Sequence, residues 1–143
     1  MGSIEQTLVL IKPDGVSDGK IGQVIKRFED KGLQLQGMKM IWLDEALATK
    51  HYQQHQGKKF FERLISYITA APVVALVLAG ESAIKVVRNL VGTTNPAKAK
   101  PGTIRGDLAI SLEHGNIIHA SDSRETAAKE IELFFASEEI FTY

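Results

Sequence analysis

The sequence contains no cysteine, which excludes disulfide frameworks, thiolate metal sites and thiol nucleophiles. Neither sign of charge is in excess, because 17 basic and 17 acidic side chains cancel to a formal net charge of zero. That argues against a polybasic coat for nucleic acid or for an anionic membrane, while leaving room for a local cationic pocket. No apolar run approaches the roughly 20 residues needed to cross a bilayer, and no secretory leader precedes the first apolar segment. The start Met1-Gly2 would suit myristoylation, but Gln6 stands where Ser or Thr is required. These absences predict a cytoplasmic protein with no membrane contact and no specific nucleic-acid partner. Linkers, repeats and low-complexity tracts are also missing, so residues 1–143 read as a single domain. A chain of this length buries enough surface to fold without a staple.

The apolar pattern alternates between strand and helix. Thr7–Ile11 is a short apolar run that predicts a buried strand, and Lys12-Pro13-Asp14-Gly15 predicts a turn after it. Ile21, Val24, Ile25 and Phe28 have helical spacing, with Gly32 as the stop. Residues 33–42 alternate without a cleanly apolar face and predict a long strand. Helices are expected over 46–55 and 60–70. Val73–Leu78, between Pro72 and Gly80, is the most hydrophobic run and predicts a central strand. Ser82–Val91 predicts a helix with Ser82 as N-cap and Gly92 as terminator. The stretch from Gly92 to Gly106 has no period, and an ordered loop of that length is commonly functional. Asn116–His119 predicts a strand end, followed by a helix capped by Asp122 or Ser123. Alternation of this kind suits an α/β sandwich, helices packed on one sheet.

Four histidines offer chemistry. His51 and His55 are four apart on an expected helix, but the glutamate of a metalloprotease helix is missing, so a solvated face is the expected role. His114 falls in an expected exposed turn. His119 sits between the apolar pair Ile117-Ile118 and a helix start, a common place for a catalytic side chain. On a helical wheel of the last helix, Glu130 falls inside the apolar arc of Ala127, Ile131, Leu133 and Phe134. A carboxylate there needs a partner, and His119 is a natural one. Such a carboxylate fixes the imidazole tautomer and leaves the other ring nitrogen free as a nucleophile. A satisfied edge carboxylate is the alternative. Lys12, Arg88 and Arg105, with Thr93, Thr94 and Asn116, would suit a polyphosphate. The Walker A pattern is missing, so nucleotide would bind without a P-loop.

The segment Asn116-Ile117-Ile118-His119-Ala120-Ser121-Asp122-Ser123 resembles the active-site signature of the nucleoside diphosphate kinase family. Leu10-Ile11-Lys12-Pro13-Asp14-Gly15, Asn95-Pro96 and Pro101-Gly102-Thr103-Ile104-Arg105-Gly106-Asp107 match further motifs in the family's order. The resemblance spans essentially the whole chain. It implies an α+β sandwich of the ferredoxin-like βαββαβ type, with an antiparallel sheet and added helices. It also implies ping-pong transfer of the γ-phosphate from a nucleoside triphosphate to a diphosphate through a phosphohistidine on His119. ATP, GTP and the other ribo- and deoxyribonucleotides would serve as substrates. Glu130 and Ser121 would orient the imidazole. Lys12, Tyr52, Arg88, Thr94, Arg105 and Asn116 would contact phosphates or sugar, and Phe60 would stack on the base, with Leu112 facing it. Mg2+ would be held mainly by the nucleotide phosphates and not by a protein cage. The assembly implied is a homo-oligomer, tetramer or hexamer. The alternative is a catalytically idle nucleotide-binding or scaffolding protein of the same fold.

Overall fold

Strand β1 (Ile4–Ile11) runs through the middle of the molecule. Its apolar residues do not alternate with polar ones because both faces are covered. Val9 and Ile11 pack into one core with Val24, Phe28, Leu76 and Val87, whereas Leu8 and Leu10 pack into another with Ala48, Ile68, Val77 and Phe134. This computed structural model describes residues 3–143, so the Met1-Gly2 pair considered for lipidation lies outside the described residues.

Three further strands complete the sheet: β2 (Gln34–Ile41), β3 (Val73–Glu81) and β4 (Ile118–Ala120). The order is β2-β3-β1-β4 and every pairing is antiparallel. Helices α1 (Pro13–Ser17), α2 (Ile21–Lys31), α3 (Glu45–His51), α4 (Phe61–Ile68), α5 (Ala83–Val91), α6 (Ile104–Leu108) and α7 (Arg124–Phe134) fill the connections. Stripped to β1-α2-β2-β3-α5-β4, this is the expected ferredoxin-like sandwich. Helices α2 and α5 cover one face of the sheet, and α3, α4 and α7 cover the other. Strand β2 lies at an edge with a bulge between Leu35 and Gly37. Its outer half leaves Met38 and Met40 exposed, which is why neither of its faces is cleanly apolar.

Three local expectations change. After β1 the chain enters the short helix α1, with Pro13 at its first position, where a missing N–H costs nothing. Gly15 serves close approach: a Cβ there would lie 2.9 Å from Ile11 Cγ2 and 3.0 Å from the Ile117 carbonyl oxygen. Ser82 precedes α5 but does not cap it. Its backbone is left-handed (φ 51°) and its side chain makes no cap bond, while Glu5 Oε1 on β1 accepts from the Ile84 N–H at 3.2 Å. The helix expected to run to His55 ends at His51, and Gln53–His55 is a separate 3-10 turn. At α7 it is Ser123 that caps, accepting from the Thr126 N–H at 3.1 Å.

Candidate active site

The residues around His119 are held by backbone clamps. Ile117 adopts a left-handed conformation (φ 54°), costly for a β-branched side chain and tolerated only where its surroundings over-determine it. Its N–H donates to Asp14 Oδ2 at 3.0 Å, and its carbonyl accepts from the Lys12 N–H at 2.8 Å. Tyr67 Oη donates to the other Asp14 oxygen, and that bond and burial both raise the Tyr67 pKa, burial most. Gly115, at φ 125°, lies against the Asp14 carboxylate with no room for a Cβ. Arg105, buried, spends its guanidinium on three carbonyls: Asn116 at 3.2 Å, Gly92 at 3.0 Å and Ile118 at 2.7 Å. It therefore pins the long loop to β4. Burial and then the charge of Arg88 draw its pKa down to about 10, so it stays cationic at neutral pH.

His119 is placed by β4, where its backbone pairs with Leu10 of β1. Its Nε2 meets both Glu130 oxygens, at 3.0 and 2.9 Å. Glu130 projects from the buried stripe of α7, as the helical wheel predicts. Ser121, fully buried, donates its hydroxyl to Glu130 Oε1 at 2.6 Å. Burial opposes ionisation of Glu130, but the hydrogen bond and charge of His119, followed by the Ser121 hydroxyl, outweigh it and hold the pKa below the usual carboxylate value. Among the described residues, Nδ1 of His119 has no hydrogen-bond partner.

These groups line a cleft of about 830 Å³ between α3, α5, α7 and the long loop. Lys12, Arg88, Thr94, Arg105, Asn116, His119 and Glu130 all border it. Lys12 Nζ donates to Asn116 Oδ1 at 2.9 Å, and Asn116 Nδ2 donates to the Thr94 carbonyl at 3.1 Å. Arg88, exposed as a residue, donates from Nη1 to the Ala120 carbonyl at 3.2 Å. Two expected contacts stand apart. Tyr52 is buried behind the wall, its ring 4.6 Å from that of His51, and Phe60 is exposed beside His55, which borders the cleft. Leu112, expected to face Phe60 across the base, is likewise exposed.

His51 is the residue that sequence reading misplaced. It is not on a solvated face but 5% exposed, packed edge-on against His119 at 4.8 Å and Phe134 at 5.4 Å, with Nδ1 3.7 Å from Glu130 Oε2. Burial, then the neighbouring His119, depress its pKa to about 3, so the ring is neutral. The signal was available: His51 lies three residues after Ala48 and four after Leu47, on the packed stripe of α3. A polar side chain on a buried stripe needs a partner there, as Glu130 does on α7. His114, by contrast, is exposed and pairs with Asp18 at 2.9 Å, which raises its pKa.

Lys12 sets a pH limit on the site. Burial, then the charge of Arg105, lower its pKa from 10.5 to about 8. Its charge is therefore present below about pH 8 and lost above, and anion binding should weaken as it goes. We expect kcat/KM for an anionic substrate of this cleft to fall on the alkaline side with an apparent pKa near 8, and the limb to move upward in Lys12→Arg. A profile flat to about pH 10 in the native protein would contradict the assignment.

A family model described as nucleoside diphosphate kinase matches residues 5–140. The nucleoside diphosphate kinase of Pyrococcus furiosus is 56% identical over 145 aligned positions, covering 100% of this chain and 90% of that protein. A halophilic nucleoside diphosphate kinase from Halobacterium salinarum, solved in complex with CDP, superposes with a TM-score of 0.94 at 44% identity, covering 99% of this chain and 93% of that one. A nucleoside-diphosphate kinase from Borrelia burgdorferi, solved as a transition-state mimic with vanadate and ADP, gives 0.93 at 40% identity, covering 98% and 92%.

Proposed function

The chain belongs to the nucleoside diphosphate kinase family, and we propose that it passes the terminal phosphate of a nucleoside triphosphate through His119 to a nucleoside diphosphate. Its activity is nucleotide phosphotransfer. The observation that carries the histidine step is the chain of contacts Ser121–Glu130–His119 at the edge of a cleft bordered by Lys12, Arg88 and Arg105. Glu130 engages Nε2, so Nε2 bears the proton and Nδ1 bears the lone pair. In the first half-reaction Nδ1 forms a bond to the γ-phosphorus while the bond to the β,γ-bridging oxygen breaks and the diphosphate leaves. In the second, a terminal oxygen of the acceptor diphosphate bonds to that phosphorus and the N–P bond breaks. The imidazole gains positive charge as it is phosphorylated, and the ionised Glu130 stabilises it in a site already organised to do so. Phosphoryl transfer asks little more of the protein than position and charge.

The reaction requires a divalent cation, and we assign Mg2+ to that role, carried by the nucleotide phosphates. Among the described residues, the one group of three metal-donor side chains is His51, His119 and Glu130. Two imidazoles do not suit a hard cation that prefers oxygen. The residues that would meet the Mg-nucleotide are the cations and amides of the cleft.

Initial-rate kinetics test the scheme. A single site used in turn by donor and acceptor predicts parallel double-reciprocal lines, and intersecting lines would contradict it. Glu130→Gln should slow single-turnover phosphorylation by about 10²-fold with little change in nucleotide affinity, because an amide cannot balance the imidazolium. A large change in dissociation constant with an unchanged rate would assign Glu130 to binding instead. Purine and pyrimidine nucleotides should be used with similar efficiency, since the residues assigned to the nucleotide serve phosphate and sugar and Phe60 offers only a stacking face. A preference of about 10³-fold for one base would contradict this.

We assign the enzyme to the cytoplasm, and no described helix is long and apolar enough to cross a membrane. The exposed Met38, Met40 and Trp42 on and beside the β2 edge, and Ile110 and Leu112 on the loop before β4, give apolar surface for a homo-oligomer to cover. Both tetramer and hexamer would use such surfaces.

A further inference from the structure

We propose that the floor of the cleft is also an inhibitory site for one borderline divalent cation of the zinc class, held by His51, His119 and Glu130. The donor atoms of these three residues lie within 4.8 Å of one another. Glu130 Oε2 is common to both imidazoles, 2.9 Å from His119 Nε2 and 3.7 Å from His51 Nδ1. Zinc bonds of about 2.0–2.1 Å in a tetrahedron separate neighbouring donors by about 3.3 Å. Both contacts to Glu130 lie within about 0.4 Å of that separation, and a bound ion would have to draw the widest pair of the set together.

The second observation is His51 itself. It is 5% exposed, and neither ring nitrogen has a hydrogen-bond partner among the described residues. Buried polar atoms are nearly always satisfied, and one left without a partner calls for an explanation. Catalysis as described above makes no use of either nitrogen. Two imidazoles and a carboxylate are a common zinc donor set, with the fourth position open, here toward the cleft. The same set discriminates against Mg2+, so the substrate cation would not occupy it.

The consequence for the enzyme is a change of tautomer and rests on the reading of His119 as nucleophile. In the metal-free site Nε2–H faces Glu130 and Nδ1 holds the lone pair. A cation at Nε2 takes a lone pair there, so the single proton of the neutral ring moves to Nδ1. Nδ1 then has nothing with which to attack phosphorus. Bound cation and phosphorylation should therefore exclude each other although the nucleotide cations remain in place.

Calorimetric titration of the nucleotide-free protein with Zn2+ tests binding without reference to turnover. The expected result is one saturable ion per chain, with affinity reduced about tenfold or more in His51→Gln and in His119→Gln. In parallel, the rate of labelling by ATP at fixed excess Mg2+ should fall as Zn2+ is added, with the midpoint seen by calorimetry, and recover on chelation. Because His51→Gln could destabilise the floor, Co2+ added to the unaltered protein gives a second readout: strong visible bands of four-coordinate nitrogen ligation support the site. Absence of saturable Zn2+ binding, binding unchanged in both variants, or a Co2+ spectrum like that of the hydrated ion would overturn it. Labelling that persists at saturating Zn2+ would overturn the inhibition. Failure of the underlying reading is separately visible, as labelling that survives His119→Ala.

Discussion

His119→Ala should reduce nucleoside diphosphate kinase turnover by about 10⁴-fold or more, the scale expected when the group that carries the covalent intermediate is removed. The substitution should leave the fold intact. His119 is a quarter exposed, and its neighbours on β4, Ile118 and Ala120, keep their pairing to β1. The loss should therefore appear in the rate and not in the unfolding midpoint. Glu130 would keep the Ser121 hydrogen bond but lose its imidazole partner, so its pKa should rise toward the usual value. Near-native turnover in His119→Ala would show that phosphate moves directly between nucleotides, and that the Ser121–Glu130–His119 chain has another purpose.

The second large effect concerns the sugar. Lys12 Nζ and Asn116 Oδ1 are 2.9 Å apart in the cleft. Lysine offers only donors, whereas the asparagine carbonyl accepts. A ribose 3′-hydroxyl seated against this pair would accept from a remaining N–H of Lys12 and donate to the second lone pair of Asn116 Oδ1. A nucleotide without that hydroxyl loses two hydrogen bonds, one of them to a charged group, and a site built around a hydroxyl rejects analogues that lack it. We expect 2′,3′-dideoxy-ATP to phosphorylate the enzyme about 10²-fold more slowly than 2′-deoxy-ATP or worse, on the scale of about 1.5–3 kcal/mol per charged hydrogen bond. ATP and 2′-deoxy-ATP should be similar. Asn116→Ala should narrow the gap. Equal rates for the deoxy and dideoxy donors would contradict the sugar assignment.

The parts of this structure legible in the sequence are those where one local rule dominates. Val73–Leu78 reads as central because a run that is apolar without alternation must be covered on both faces, and β3 is paired on both edges. Glu130 reads as partnered because a carboxylate on a buried stripe needs a partner, and the structure supplies His119 and Ser121. His51 could have been read the same way. It was hidden by its spacing to His55, which suggested one helical face where the chain breaks into a 3-10 turn.

Other features depend on pairs remote in sequence and leave no local trace. Ser82 has the composition of an N-cap, yet the helix start is satisfied by Glu5, 79 residues away in the chain. Asp14 reads as a turn residue, but its carboxylate anchors the strained Ile117 103 positions later. Arg105 reads as a phosphate ligand, and only the fold reveals that it ties together the carbonyls of Gly92 in the long loop, of Asn116 and of Ile118 in β4. Arg105→Lys should thus loosen the loop as well as weaken phosphate contacts, since a point ammonium cannot reproduce the planar fork.

The central claim is that phosphate resides on the imidazole of His119. The most direct measurement incubates the unaltered protein with γ-labelled ATP and no acceptor, removes nucleotide, and locates the label on the protein by peptide mapping under alkaline conditions. Label is expected on the peptide containing His119, stable in base, lost in acid, and discharged completely by added nucleoside diphosphate. Label that survives acid and maps to Ser121 or Ser123, or an absence of protein-bound label during active turnover, would contradict it.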